Sequence, residues 1–433
     1  MMRTAIGLAA AGLLLASCAA QVAGSPQSSA TDELVLRTAS AVQVWDAKGA
    51  LVHEMSRAVT SPDGSVYYAL EGSSPTTLRW TDAKTDRPIT QLTLPGAYAF
   101  ASETGPAPTG FSPNGRWLVL VGDTGAKSSF AIVDTSLVRL AAYAEVPGPF
   151  TYDAISDDGT SLYLIEKITP ERARELPGVN ATYGYRVRVY DVPAGKMSET
   201  LVVDVKLAAA TDANNAETRV DGIMSGIYQS SVPSRDGRWN FSFYYNPARG
   251  PFIHVLHLDS RSAFCILDLP IVSGGSEKRL GWSLALTPSG KTLYAVNGPL
   301  GLVSMIDAAT LKVGLTATVA GLPVSTTTTE SAASATVSQD ARKLYFTADR
   351  GVALVDTSDL SLRGLFLSDR VITSVSLSQD GHRLYALSAD GMVWMIDATT
   401  GRELGQIPTP GAIALLRVAA RQPDPERPAA LWP

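Results

Sequence analysis

The chain has 433 residues, 45% of them hydrophobic, and its 36 basic and 41 acidic side chains give a formal net charge of −5. A chain of this length and apolar content can bury a large core. A mildly acidic balance argues against a nucleic-acid partner, because contact with phosphates requires clustered Lys and Arg. With only two cysteines, the chain is not a disulfide-stapled scaffold.

The N-terminus predicts export. Arg3 precedes an apolar run from Ala5 to Ala16, which is too short to span a bilayer and is typical of a secretory signal. The run ends in Leu15-Ala16-Ser17-Cys18, which resembles the lipobox of bacterial lipoproteins. We therefore expect a signal peptide over residues 1–17, lipidation of Cys18, and an anchor on the extracytoplasmic side of a bacterial membrane. The alternative is a plain signal peptide in which the cysteine is incidental.

The next segment, residues 18–33, is predicted to be a flexible tether, because it is rich in Ala, Ser, Gln and Gly and has little apolar content to offset ordering. Residues 34–420 are predicted to form a single β-propeller domain, and residues 421–433 a Pro-rich tail. If Cys18 is acylated, Cys265 has no disulfide partner, and we expect it to be a buried strand residue.

A turn motif recurs along the predicted domain: Ser or Thr, a variable residue, Asp, Asn or Ser, and usually Gly. Asp-Gly and Asn-Gly pairs favour tight hairpins, because Gly accepts positive φ without steric cost. An apolar strand such as Leu384-Tyr385-Ala386-Leu387 follows each turn, and a later strand closes on Asp. The seven turns begin at Ser61, Ser112, Ser156, Ser234, Thr287, Ser338 and Ser378. The eight strand endings are Asp46, Asp82, Asp134, Asp191, Asp259, Asp307, Asp356 and Asp397.

The difference between seven turns and eight endings predicts how the ring closes. Residues 34–56 match the last three strands of a blade, and residues 412–418 match one first strand. Together they make a composite blade, which removes the exposed edges of an open ring. The prediction is an all-β propeller of eight four-stranded antiparallel blades, or seven if one weak unit is not a blade. We expect a monomer.

The amino-acid sequences of the repeats resemble those of a known family. Val303-Ser304-Met305-Ile306-Asp307 and Val393-Trp394-Met395-Ile396-Asp397 are similar to the bacterial YVTN-type (YncE-like) propeller repeat. The resemblance is clearest in the last three units. It implies the fold, and it supplies no catalytic residues, since that broad group includes binding and scaffolding proteins while related propellers carry haem, quinone or lactonase chemistry.

No motif predicts a metal or a cofactor. His254 and His257 are the closest pair of histidines, but a spacing of three within one strand sends them to opposite faces. No Cys-x-x-Cys-His motif for covalent haem occurs. We therefore expect neither a metal site nor a cofactor.

The two longest insertions, Lys167 to Gly184 and Lys206 to Ser230, are the best guide to a site. In a four-stranded blade, the second-to-third loop and the connection to the next blade emerge on one face, so both insertions should rise there side by side. We expect them to form a rim over the channel that binds a protein or a small polar ligand. The predicted binding residues there are Arg172, Arg174, Glu175, Tyr183, Tyr185, Arg219, Asp221 and Tyr228. Asp153, Glu277 and Arg279 are added as charged residues near the starts of inner strands.

Two functional classes follow. The preferred one is a binding or scaffolding module at the cell envelope, because no catalytic motif is found. The alternative is an enzyme with its site in the central funnel, such as a lactonase-like hydrolase or a quinone-dependent dehydrogenase, and it rests on analogy of fold alone.

Overall fold

The structure is a computed structural model that describes residues 31–103, 109–122, 126–169, 171, 184–199, 202, 223–247, 250–270, 280–324 and 333–421. The predicted signal peptide, Cys18 and residues 422–433 of the predicted tail therefore lie outside the described residues. The predicted tether and tail extended too far toward the domain, because residues 31–33 lie in the strand Thr31–Arg37 and residue 421 lies in the strand Ala414–Arg421. The described helical structure includes one 3-10 turn, Ala101–Glu103. In this part of the chain no helix has the length and hydropathy needed to cross a membrane.

The strands are numbered in chain order, and each blade in the order of its first strand. The chain begins with β1 (Thr31–Arg37), β2 (Ala41–Asp46) and β3 (Leu51–Ser56). Blade 1 consists of β4 (Ala58–Thr60), β5 (Val66–Glu71), β6 (Thr76–Asp82) and β7 (Pro88–Leu94). Blade 2 consists of β8 (Tyr98–Phe100), β9 (Trp117–Gly122), β10 (Lys127–Asp134) and β11 (Arg139–Pro147). Blade 3 consists of β12 (Phe150–Ile155), β13 (Ser161–Lys167), β14 (Gly184–Asp191) and β15 (Lys196–Met197), with β16 (Met224–Ser225) added beside β14.

The second half of the ring repeats the same arrangement. Blade 4 consists of β17 (Ile227–Pro233), β18 (Trp239–Asn246), β19 (Gly250–His257) and β20 (Ser262–Asp268). Blade 5 consists of β21 (Trp282–Leu286), β22 (Thr292–Asn297), β23 (Leu302–Asp307) and β24 (Lys312–Thr318). Blade 6 consists of β25 (Ala335–Val337), β26 (Lys343–Thr347), β27 (Val352–Asp356) and β28 (Leu362–Phe366). Blade 7 consists of β29 (Ile372–Leu377), β30 (Arg383–Ser388), β31 (Met392–Asp397) and β32 (Glu403–Pro408), and the last strand is β33 (Ala414–Arg421).

The ring is closed by both ends of the domain. In blade 8 the sheet order is β33-β1-β2-β3, so the last described strand supplies the innermost position and the first three described strands supply the rest. The predicted eight-bladed propeller with a composite closing blade is thereby confirmed. Arg417 of β33 donates a hydrogen bond to the Gly64 carbonyl of blade 1. Gly64 has a φ of +72°, and a Cβ there would overlap the Arg417 guanidinium.

Hydrogen bonds explain the recurring turn motif. In blade 7 the Ser378 hydroxyl donates to Asp380 at 2.6 Å and accepts the backbone N–H of Arg383 at 2.9 Å. The Asp380 carboxylate also accepts the N–H of His382. The same pattern recurs in the other turns, for example at Ser61 and Ser156. Each motif thus satisfies backbone donors that a tight turn leaves unpaired.

The aspartate that ends a third strand caps the following turn. Asp307 accepts the N–H groups of Ala309 and Thr310 at 3.0 and 2.7 Å, and Asp397 caps its own turn in the same way. Blade 4 differs from the sequence expectation, because β19 ends at His257 and not at Asp259. The His257 ring takes over the capping role by accepting the N–H of Ser260 through Nδ1 at 3.0 Å.

The tyrosine of the second strand joins neighbouring blades. Tyr163 of blade 3 donates to the Leu258 carbonyl of blade 4, and Tyr345 of blade 6 donates to the Ala398 carbonyl of blade 7, both at 2.7 Å. At the ring closure the equivalent Tyr385 donates instead to the buried Asp32 carboxylate at 2.7 Å. Asp32 also pairs with Arg383 at 2.8 Å. One repeated side chain therefore links successive blades.

The hydrophobic core lies between adjacent blades, and the central channel of the ring has two ends. Apolar clusters fill the spaces between adjacent sheets, as where Phe241 and Phe243 of blade 4 pack with Trp282 and Leu293 of blade 5. From blade 4 round to blade 8, the first strands of neighbouring blades contact each other around the axis. We call the end that carries the Ser-x-Asp-Gly turns the turn face. The opposite end, where second-to-third loops and blade connections emerge, is the insertion face.

Candidate functional site

Three of the predicted binding residues lie in the described structure: Asp153, Tyr185 and Tyr228. The insertion between β13 and β14 has the predicted limits, since β13 ends at Lys167 and β14 begins at Gly184. The second insertion ends earlier than expected, because β16 and β17 occupy much of its C-terminal part. Tyr185 and Tyr228 are therefore strand residues and not loop residues. The other predicted binding residues lie outside the described residues: Arg172, Arg174, Glu175, Tyr183, Arg219, Asp221, Glu277 and Arg279.

Asp153 occupies a β-bulge in the innermost strand of blade 3. Tyr152 pairs with Leu164 and Ala154 pairs with Tyr163, so Asp153 is the extra residue between two regular pairs. A bulge re-aims a side chain relative to the regular alternation of a strand. Asp153 is 4% exposed. Burial raises the pKa of its carboxyl group to about 7.

Two tyrosines of blade 4 lie close to this carboxyl group. Burial raises the pKa of both Tyr228 and Tyr244, and the negative charge of Asp153 raises it further. The Tyr228 hydroxyl donates to Ser231 at 3.0 Å. The Tyr244 hydroxyl has no partner of standard hydrogen-bond geometry among the described residues, although the neighbouring Tyr185 hydroxyl also influences its pKa. Both phenols remain neutral at physiological pH.

Tyr244 brings the three predicted residues together. Its ring stacks on Tyr185 with centroids 4.8 Å apart and planes 7° apart. It meets Tyr228 edge-on, at 5.6 Å and 78°, and it also stacks on Phe252 at 5.5 Å. We call Asp153, Tyr185, Tyr228 and Tyr244 the Asp153 cluster. It spans the interface of blades 3 and 4, close to the insertion face, where β12 and β17 begin.

Sequence reasoning missed Tyr244, although one signal was present. The second strand of most blades carries apolar residues on both faces, as in Leu293-Tyr294-Ala295-Val296. In β18 one face instead reads Asn240, Ser242 and Tyr244, and each of the three is at most 5% exposed. A polar row in a strand that must be buried on both sides indicates an unusual interface.

The described arginines of β14 pair with a glutamate and not with Asp153. Arg186 and Arg188 of β14 both contact Glu166 of β13, at 2.6 and 3.1 Å. Burial would raise the pKa of Glu166, but hydrogen bonds and charge from the two arginines lower it overall. These cations thus already share an anionic partner.

The two histidines behave as the sequence predicted. The His254 ring lies 6.0 Å from that of Tyr244, and the His257 ring lies 4.2 Å from that of Trp239. They are on opposite faces of β19, because Phe252 and Leu256 share the blade 3 side while Ile253 and Val255 face blade 5. The described residues bring together no group of three or more His, Cys, Asp or Glu side chains suited to a metal ion.

A concave region lies at the turn face, away from the Asp153 cluster. It is a cavity of about 620 Å³ lined by blades 6, 7, 8 and 1, with Glu33, Lys84, Gln339, Gln379 and Arg417 among its polar side chains. The sequence analysis selected none of these residues. Arg417 is held there by the Gly64 carbonyl, so part of the lining serves the closure of the ring.

Comparison with known proteins shows the fold. No protein-family model matches the chain, and no curated protein matches it in sequence. Two solved structures of AztD from Citrobacter koseri are similar to it, at 14% and 13% identity and TM-scores of 0.52 and 0.54. They cover 90% and 91% of this chain and 98% and 99% of their own. NirN, a dihydro-heme d1 dehydrogenase solved in complex with DHE, is similar at 14% identity and a TM-score of 0.52, over 88% of this chain and 73% of its own. At such identities the likeness supports the β-propeller fold alone and no shared activity.

Proposed function

We propose that this protein is an exported binding module that takes a small ligand at the Asp153 cluster. The observation that carries the proposal is Asp153 itself, a carboxyl group that is 4% exposed and forms no ion pair with a described residue. Burying an ionisable group without a compensating charge costs free energy, and such groups are retained mainly at functional sites. A ligand that pairs with Asp153 would offset this cost.

Accessibility favours a small ligand over a protein partner at this position. The surface of a folded protein is too broad to reach a side chain that is 4% exposed. A single amine, hydroxyl or amide group of a small ligand can reach it. Tyr228 is partly exposed beside it and offers an aromatic wall. Small-molecule sites in proteins combine apolar and aromatic walls with a few polar groups.

Location is part of the same proposal. The sequence of residues 15–18 supports a lipoprotein of the bacterial cell envelope, and the repeats support membership of the YVTN-type propellers. If Cys18 carries the lipid, Cys18→Ser should move the protein from the membrane fraction to the soluble extracytoplasmic fraction. Fractionation followed by immunoblotting measures this. Unchanged membrane retention of the variant would contradict the anchor.

A thermal-shift screen of small polar compounds tests the binding function. Wild type, Asp153→Asn and Asp349→Asn are compared, because Asp349 is also a buried aspartate, 8% exposed, with one unpartnered carboxyl oxygen, but it lies in blade 6. Ligands of the proposed site should stabilise wild type and Asp349→Asn and lose their effect on Asp153→Asn. Hits that stabilise all three proteins equally would place binding elsewhere and refute the proposal.

An enzyme remains the second candidate, and one observation favours it. The pKa of Asp153, about 7, is in the range that suits a general acid or base at neutral pH. Mass spectrometry of each hit after prolonged incubation distinguishes the two functions. A binding module returns the ligand unchanged, whereas an enzyme yields a product in wild type and none in Asp153→Asn.

A further inference from the structure

We propose that the ligand of the Asp153 cluster is an organic cation, that is, an amine or a quaternary ammonium compound. This inference rests on the proposed binding function and adds the chemical class of the ligand. It follows from three features of the described residues: an uncompensated carboxyl group, aromatic rings beside it, and the absence of a described cation able to pair with it.

The ionised form of Asp153 needs a compensating charge that the described residues do not supply. The two arginines of β14, two strands away in the same blade, are engaged by Glu166, and no ion pair to Asp153 is formed by any described residue. An ionised carboxylate in such surroundings is stable only with a compensating charge or strong donors. An anionic ligand would add a second negative charge at the same place and be rejected.

The rings favour an organic cation over a hydrated inorganic one. Tyr244 is already stacked on Tyr185 and Phe252, but Tyr228 is partly exposed and stands at 78° to Tyr244. The partly exposed ring of Tyr228 is therefore the aromatic surface that a ligand can reach. Cations attached to apolar groups bind the faces of aromatic rings, and a neighbouring carboxylate strengthens the attraction. A metal ion would need more oxygen or nitrogen ligands than the described residues bring together.

Binding should depend on pH, because the cation must displace the proton of Asp153. The titratable groups that face Asp153 are the phenols of Tyr152 on its own strand and of Tyr228 and Tyr244 on blade 4. Tyr185 and His254 lie behind Tyr244. The phenols stay neutral below pH 9, so the change of charge between pH 6 and pH 8 belongs to Asp153. Ligand affinity should therefore rise over this range, with release of a proton at the lower pH.

Isothermal titration calorimetry tests the inference with defined probes. Choline, n-butylammonium, putrescine and spermidine are the cations, and 3,3-dimethylbutan-1-ol is the uncharged isostere of choline. At least one cation should bind wild type at pH 8 with saturation, bind about tenfold more weakly at pH 6, and release a proton at pH 6 in buffers of different ionisation enthalpy. Asp153→Asn should weaken binding at least tenfold, while Asp349→Asn, the matched buried aspartate, should leave it unchanged.

The outcomes separate this inference from the proposed function. Equal binding of choline and its uncharged isostere would overturn the inference that the ligand is a cation. Binding that Asp153→Asn leaves unchanged would overturn it as well. Failure of all four cations to bind at millimolar concentration would also overturn it. If the thermal-shift screen then yields neutral or anionic ligands that depend on Asp153, the binding module stands and only the ligand class is wrong. If no compound depends on Asp153, both proposals fail.

Discussion

At the scale of single residues, Asp153 is the position where the fold buries a side chain that would be ionised in water. A bulge removes it from the ladder of β12, and burial raises its pKa to about 7 from the ordinary 3.8. The folded state thus holds the proton more tightly than the unfolded chain does. Between these two pKa values the unfolded chain binds fewer protons, so this group's contribution to stability is full below the lower value and is lost as the pH rises through the higher one.

We therefore expect Asp153→Asn to change the pH dependence of stability. Asn keeps the shape of the protonated side chain but does not titrate. From pH 5 to pH 8, wild type should lose about 2–3 kcal/mol more free energy of unfolding than the variant, as expected for a shift of this size. Urea denaturation of both proteins at the two pH values measures the difference. Parallel losses would show that the carboxyl group is not buried as the structure has it.

At the scale of elements, a blade is recognisable from sequence because its repeated residues have local partners. Ser378 bonds within six residues of itself, and Asp307 caps the turn that it begins. Such contacts need no distant part of the chain, so their spacing is preserved in the sequence. The repeated tyrosine differs, because Tyr163 and Tyr345 reach a carbonyl of the next blade. Its hydrogen-bond partner could be identified only from the arrangement of neighbouring blades.

The interblade tyrosines yield a matched comparison. Tyr345→Phe removes a hydrogen bond to a buried carbonyl, which should cost about 1 kcal/mol, and Tyr385→Phe removes one to a buried carboxylate, which should cost about 2 kcal/mol because the acceptor is charged. Both variants keep the ring and the volume of the side chain. Urea denaturation at pH 7 checks the order of the two losses. An equal or reversed order would mean that the hydrogen bond from Tyr385 to Asp32 contributes little to the free energy of unfolding.

At the scale of the whole molecule, the ring depends on its last strand. Leu34 and Leu36 of β1 are fully buried and pack with Leu415 of the flanking strand β33 and with Tyr385 and Leu387 of blade 7. β33 also covers the edge of β1 that would otherwise present unpaired backbone groups. Hydrophobic burial and strand pairing therefore both stabilise the closure of the ring at blade 8.

Truncation tests this dependence. A chain that ends at residue 413 lacks β33, so we expect it to lose its cooperative unfolding transition and to aggregate through the exposed edge of β1. A chain that ends at residue 421 keeps β33 and is the control. Circular dichroism during heating, with size-exclusion chromatography, measures both effects. A monomeric and cooperatively folded shorter chain would show that the other seven blades are stable as an open ring.

The sequence alone was sufficient for the architecture. Turn motifs and strand endings act over short distances, so their count gave eight blades and the mixed closing blade. One strand ending was misplaced, because His257 replaces the usual aspartate and a second aspartate follows at Asp259. Single-sequence reasoning also selected Asp153, Tyr185 and Tyr228 from the predicted insertions and inner strands.

Only the tertiary structure determined how Asp153, Tyr185 and Tyr228 are arranged in space. They come from β12, β14 and β17, and they meet because Tyr244 of a fourth strand lies between Tyr185 and Tyr228 and close to Asp153. The raised pKa of Asp153 likewise results from burial by two packed blades and a bulge. Both properties arise from contacts between blades, and such contacts leave no fixed spacing in the chain.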